Sequence, residues 1–122
     1  MMRILVVDDD TVISKAFTVM LQRADFEVAV AEDGLKGVEM WEGGGYDLVL
    51  MDVQMPRMDG FEATRAIREM EERRGGHTPI VAVTAYALKQ DEEQCLAAGM
   101  DAYISKPVDF KKLLEMIRGL IG

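Results

Sequence analysis

Asp47-Leu48-Val49-Leu50-Met51-Asp52 is the stretch on which the fold turns. Leu48 to Met51 leave no polar face, so a strand over Asp47–Met51 must be buried on both sides. It stops abruptly at a carboxylate, Asp52. The same pattern recurs to either side. Ile4-Leu5-Val6-Val7 runs into Asp8, Pro79–Val83 runs into Thr84, and a short strand over Ala102–Ile104 leads to Ser105-Lys106-Pro107. Phe26–Ala31 alternates enough to be a further strand.

Segments with helical spacing lie between these strands. Thr11 is placed to cap a helix carrying Val12, Ala16, Val19, Met20 and Arg23. Gly34–Glu42 reads as a short helix ended by Gly43-Gly44-Gly45, and Asp59-Gly60 opens a longer one through about Arg74, stopped by Gly75-Gly76. Lys89–Ala98 is a helix with Gly99 as its stop, and Asp109 or a neighbour caps a last helix through Leu120. The chain is therefore a βα unit repeated five times. Doubly buried strands require a parallel sheet between two helix layers, with right-handed crossovers. Helices on both faces force one reversal of winding, and ligands bind there, beyond the carboxyl ends of the strands.

The 122 residues fit one domain, expected to span 1–122, and can bury a core without disulfides or structural metal. Acidic side chains outnumber basic ones, 22 to 14, for a formal charge of −8. That balance argues against direct nucleic-acid binding and against docking on anionic membranes. It suits a divalent cation or a basic partner surface. Cys95 is the single cysteine, so no internal disulfide exists. With no signal-peptide pattern and no apolar run near the roughly 20 residues that span a bilayer, a soluble cytoplasmic location is expected.

Chemistry gathers where the strands stop. Asp8-Asp9 follow the first strand, Asp52 the third, Thr84 the fourth and Lys106 the fifth. In a parallel sheet these ends share one edge, so three carboxylates, a hydroxyl and an ammonium converge. Three close carboxylates cannot all ionise freely, and a divalent cation resolves the repulsion. An all-oxygen ligand set suits Mg²⁺, which binds through one or two carboxylates and shares a phosphate oxygen. Cation and lysine would neutralise charge on a transferring phosphoryl group, and a central carboxylate can serve as the nucleophile.

These residues carry a resemblance. Val7-Asp8-Asp9, Met51-Asp52-Val53-Gln54-Met55-Pro56-Arg57-Met58-Asp59-Gly60, Val83-Thr84-Ala85, Leu96-Ala97-Ala98-Gly99-Met100-Asp101 and Ser105-Lys106-Pro107, in that order, resemble the receiver domains of response regulators over essentially the whole chain. The wording is most similar to receivers of hybrid histidine kinases and phosphorelays. The resemblance implies a three-layer α/β fold of flavodoxin-like type, with a five-stranded parallel sheet in the order 2-1-3-4-5.

It also implies roles. Asp52 accepts a phosphoryl group from the phosphohistidine of a histidine kinase or histidine phosphotransfer protein. Asp9 and Asp52 bind Mg²⁺ (or Mn²⁺) with the backbone carbonyl of Gln54, and Asp8 acts through a metal-bound water. Lys106 and Thr84 contact the phosphoryl oxygens. Thr84 and Tyr103 form the switch. Lys106-Pro107 is commonly cis, and Gly60 opens its helix as a structural residue. The face made by the fourth helix, fifth strand and fifth helix binds a downstream effector. Such a protein catalyses only its own phosphorylation and dephosphorylation. It is a monomer or a phosphorylation-dependent homodimer, and either stands alone or is a piece of a larger kinase or regulator. Gln54 and Tyr86 occupy positions expected to tune the lifetime of the phosphoryl group, Tyr86 by shielding it.

Other readings meet the same residues. Asp8-Asp9-Asp10-Thr11 fits the opening of a haloacid-dehalogenase-like phosphatase with Asp8 as nucleophile. A flavin or nucleotide binder of this architecture would want a Gly-rich first turn, whereas carboxylates stand here. A degenerate receiver would lack key positions, and all are intact. Asp10 reads as a cap or solvated residue, and Tyr103 is also compatible with plain packing. Cys95 and Trp41 read as helix packing residues, and His77 as an exposed loop residue. Glu69, Glu71, Glu72, Arg73 and Arg74 read as a solvated helix end.

Overall fold

The computed structural model describes residues 1–55, 57–85 and 89–121. Strands and helices alternate along them: β1 (Arg3–Val7), α1 (Thr11–Arg23), β2 (Glu27–Ala31), α2 (Gly34–Glu42), β3 (Leu48–Asp52), α3 (Gly60–Arg74), β4 (Ile80–Thr84), α4 (Lys89–Ala98), β5 (Ala102–Ser105) and α5 (Phe110–Ile121). The strands form one parallel sheet in the order β2-β1-β3-β4-β5. The chain winds from β1 out to β2, then returns across β1 to β3. The reversal therefore lies between β1 and β3.

Alternation along the strands divides the core in two. Ile4 and Val6 of β1, with Leu48 and Leu50 of β3, pack on Phe17 and Leu21 of α1 and on Leu113 and Ile117 of α5. Leu5, Val7, Val49 and Met51 point the other way, onto Val38 and Trp41 of α2, Ala63 and Ile67 of α3 and Cys95 of α4. Each fully buried aliphatic side chain of this kind contributes about 1.5–3 kcal/mol. The result is the three-layer arrangement expected, with α1 and α5 on one face and α2, α3 and α4 on the other.

Local details sharpen or correct the sequence expectations. Thr11 is the first residue of α1 and not its cap. Asp10 is extended, and its side chain accepts from the N–H groups of Val12 and Ile13 at 2.9 and 3.2 Å. Asp59 caps α3 in a reciprocal box with Glu62, and Asp109 accepts from Lys111 and Lys112 at the start of α5. β3 and β4 each reach one residue further than the apolar runs suggest. Asp52 still pairs with Val83, and Thr84 with Ser105. Both polar residues thus sit on the last rungs of the sheet, where pairing fixes their backbones.

One residue expected in solvent is not there. Glu71 is buried in the last turn of α3, where its carboxylate receives the Thr78 N–H at 2.6 Å and pairs with Arg68. His77 is exposed, as expected of a loop residue, and its Nε2 lies 2.6 Å from Asp101 Oδ1. In both cases the partner comes from a segment distant in sequence or beyond the helix end. Trp41 and Cys95 are buried packing residues, with Trp41 Nε1 donating to Thr78 Oγ1 at 3.0 Å.

Candidate functional site

The site is built by the carboxyl ends of β1, β3, β4 and β5. Val7 pairs with Met51, so Asp8 leaves β1 level with Asp52 at the end of β3. Lys106 N–H donates to the Thr84 carbonyl at 2.8 Å, which carries the lysine past the end of β4. The Lys106-Pro107 peptide is cis. Asp8, Asp9 and Asp52 each offer a carboxylate oxygen within 4.8 Å of the others. Asp8 and Asp52 are buried, at 2% and 5% exposure, while Asp9 is exposed. Lys106 Nζ stands 3.6 Å from Asp52 Oδ1 and 3.9 Å from Asp8 Oδ2. Thr84 is buried beside them.

Backbone groups hold the carboxylates in place. Asp10 N–H donates to Asp8 Oδ1 at 2.8 Å, and Gln54 N–H to Asp52 Oδ1 at 3.3 Å. Asp10 caps α1 with its side chain, one of the two readings its sequence position allowed, and its amide also orients Asp8, which the sequence did not show. A β-carbon at Gly60 would lie 2.3 Å from the Asp52 carbonyl oxygen, so only glycine lets α3 start against the strand. At the rim, Arg57 adopts a positive φ of 68° and its Nη1 lies 3.9 Å from Asp33 Oδ2. Tyr103 is half-buried on β5, and the Glu92 carboxylate of α4 holds its phenol above the usual range. Tyr86 lies outside the described residues.

The electrostatics are those of crowded carboxylates that share one lysine. Burial, and then the Asp8 charge, push the Asp52 carboxyl up from 3.8 to about 6, against the pull of Lys106. Burial raises Asp8 as well. Asp8 Oδ2 is buried and has no hydrogen-bond partner among the described residues. An orphaned carboxylate oxygen is costly unless something else satisfies it. A hard divalent cation suits this all-oxygen donor set, so these residues fit Mg²⁺.

Residues 4–118 match the response regulator receiver domain family. The chain belongs to that family. The match spans every strand end described above, and it leaves the phosphatase and flavin readings without support. The receiver is 42% identical over 120 residues to hybrid signal transduction histidine kinase I of Dictyostelium discoideum, covering 94% of this chain but 7% of that kinase. It is 34% identical over 119 residues to the polar-differentiation response regulator DivK of Brucella ovis, covering 98% of this chain and 95% of DivK. Among solved structures it resembles the receiver domain of a Pseudomonas aeruginosa sensor histidine kinase, which has a magnesium ion coordinated in its active-site cleft. The TM-score is 0.90 and the identity 39%, over 99% of this chain and 98% of that one. It also resembles a Saccharomyces cerevisiae response regulator's receiver domain, co-crystallised with its histidine phosphotransfer signalling protein. There the TM-score is 0.90 and the identity 30%, over 98% and 88% of the two chains.

The receiver thus has the five-stranded fold of its family and is a receiver domain of two-component or phosphorelay signalling. Among its described residues no helix is long and apolar enough to cross a membrane.

Proposed function

We propose that this receiver is a phosphorylation-driven switch whose acceptor is Asp52. One observation carries the reading. Asp52 is buried at the last rung of β3, with Lys106 Nζ 3.6 Å from its Oδ1 and the carboxylates of Asp8 and Asp9 beside it.

In the reaction, an Asp52 oxygen attacks phosphorus and the P–N bond to the donor's histidine breaks. Its electron pair stays on the imidazole and the carboxylate becomes an acyl phosphate. Lys106 meets the added negative charge, and Thr84 supplies a hydroxyl to the phosphoryl oxygens. Asp9, Asp52 and the Gln54 carbonyl would hold Mg²⁺ or Mn²⁺, with Asp8 one water removed; when bound, the cation neutralises charge on the phosphoryl oxygens. The acyl phosphate adds charge and acceptor oxygens, draws Thr84 inward and lets Tyr103 turn towards the space it leaves. The α4-β5-α5 face then binds an effector, as a monomer or as a phosphorylation-dependent dimer.

The donor is a phosphohistidine on a histidine kinase or phosphotransfer protein, and the setting is cytoplasmic. The likeness to the yeast receiver co-crystallised with its phosphotransfer protein supports that partner class. Residues 1–122 act as one receiver unit, alone or within a larger kinase, and catalyse only their own phosphorylation and dephosphorylation. Tyr86 and Gln54 tune the lifetime of the phosphoryl group.

Incubation with acetyl phosphate and Mg²⁺, followed by intact mass and borohydride trapping, tests the assignment. The expected adduct is one phosphoryl group on Asp52, absent from Asp52→Asn. Label on Asp8, or undiminished labelling of Asp52→Asn, overturns it.

A further inference from the structure

A second, partly buried ionic network lies at the opposite end of the sheet, where β4 and β5 begin. Its centre is Arg68 of α3. Arg68 Nε donates to the Gly99 carbonyl at 2.8 Å, and Nη1 to the Thr78 carbonyl at 2.9 Å and to Glu71. Its Nη2 donates to Asp101 Oδ2 at 2.7 Å. The same Asp101 oxygen accepts the Ile80 N–H at 2.8 Å, while Asp101 N–H donates to the Ile80 carbonyl at 2.9 Å. His77 closes the outer side, with Nε2 2.6 Å from Asp101 Oδ1.

One planar guanidinium therefore joins four segments: α3, the approach to β4, the C-terminal end of α4 and the approach to β5. Gly99, at φ +101°, lies against the Arg68 stem so closely that a β-carbon would sit 2.9 Å from Cγ. A rigid fork of this kind fixes direction as well as distance, which lysine does not. Its position matters. Asp101 lies two residues before Tyr103, and Ile80 two before Ala82, the register partner of Tyr103. The network thus clamps the rungs directly beneath Tyr103.

We propose that Arg68 and Asp101 are positioning residues that form the fixed pivot of the switch. By tying the end of α4 and the start of β5 to α3 and β4, they confine a rearrangement begun at Thr84 to the Tyr103 side chain. Without the clamp, α4 and β5 absorb the change by sliding on the sheet. The proposal rests on the switch role given above to Tyr103.

Fluorine NMR of the full chain labelled with 3-fluorotyrosine tests it, with the Tyr103 signal assigned through Tyr103→Phe. Mg²⁺ is titrated first and beryllofluoride second. In the wild type, beryllofluoride shifts the Tyr103 signal. In Asp101→Ala, Mg²⁺ affinity stays within about twofold while the Tyr103 shift at saturating beryllofluoride falls by about fivefold or more, a coupling of ordinary allosteric size. Asp101→Asn, which keeps an acceptor for Arg68 and Ile80, restores most of the shift. Should Asp101→Ala fail to fold, Arg68→Lys keeps the charge without spanning the four segments and gives the same loss. A folded Asp101→Ala or Arg68→Lys with a wild-type shift overturns the pivot alone. A wild type in which Tyr103 never responds overturns the switch reading, and the pivot with it.

Discussion

Lys106 Nζ lies 3.6 Å from Asp52 Oδ1, near enough to attract and too far to form a hydrogen bond. A lysine held at this distance leaves the carboxylate free to react and meets charge only as it grows. Lys106→Ala should therefore slow phosphorylation by acetyl phosphate by about 10²-fold or more, the usual loss for one transition-state contact. Mg²⁺ affinity should not fall and should rise slightly, because the lysine competes with the cation for Asp52 and Asp8. Rates and a Mg²⁺ titration on the same samples read both. Equal loss of binding and rate would contradict the separate roles.

Asp52 gives the fold a pH dependence of known sign. Its carboxyl titrates near 3.8 when unperturbed and is pushed up to about 6 in the folded chain. The folded state therefore holds the proton more tightly than the unfolded one. The stability this contributes is fully present below pH 4 and is lost as pH rises through about 6. Without divalent cation, Asp52→Asn should exceed the wild type in stability at pH 7.5 by on the order of 1–3 kcal/mol, with the advantage gone near pH 4. Urea midpoints at both pH values measure this. Saturating Mg²⁺ should narrow the gap at pH 7.5 by stabilising the wild type. Midpoints that track each other across the whole range would sink the idea.

The fold was legible because the strongest signals are local. Leu48 to Met51 and Ile80 to Val83 are short apolar runs bounded by turn and polar residues, which marks them as doubly buried strands, and each exit residue is visible where its run ends. The site was legible for the same reason: parallel topology turns four separate endings into one edge. What stayed hidden depends on partners brought in by tertiary structure. Glu71 looks no different from Glu69 and Glu72 in a run of charges until the start of β4 presents Thr78 N–H to it. His77 acquires Asp101 from a position 24 residues away. Asp10 and Thr11 are both good caps by composition, and only backbone conformation chooses between them.

Gly60 should tolerate no side chain. An alanine there brings a β-carbon to 2.3 Å from the Asp52 carbonyl oxygen and 2.9 Å from Val53 Cα. Neither backbone atom can step aside without moving β3. Gly60→Ala should cost about 1–3 kcal/mol and weaken Mg²⁺ binding together, since the displaced strand end carries Asp52. Gly119→Ala is the control. It lies inside α5 with nothing within 4 Å of the added carbon, and should gain about 0.5–1 kcal/mol from helix propensity alone. Denaturation midpoints and Mg²⁺ titrations of both variants decide the matter. A Gly60→Ala protein as stable as wild type would show that the close approach is not fixed.

Glu71 and Glu69 lie two residues apart on one helix and should behave oppositely. Glu69 is exposed, and Glu69→Ala should change stability by less than about 0.5 kcal/mol. Glu71 is buried against Arg68 and the Thr78 N–H. Removing its carboxylate strips a partly buried guanidinium of one partner and leaves a backbone donor unmet. Glu71→Ala should cost about 3–5 kcal/mol, the range for breaking a buried pair from one side. Glu71→Gln should cost less, because its carbonyl oxygen can still accept from Thr78 while the charge is lost. Asp52 is at the other end of the sheet, so Mg²⁺ affinity should be unchanged in whichever variants remain folded. Urea denaturation of the three proteins, with Mg²⁺ binding followed in parallel, reads the contrast directly. Equal and small effects at both glutamates would place Glu71 in solvent, as the charge pattern alone suggests.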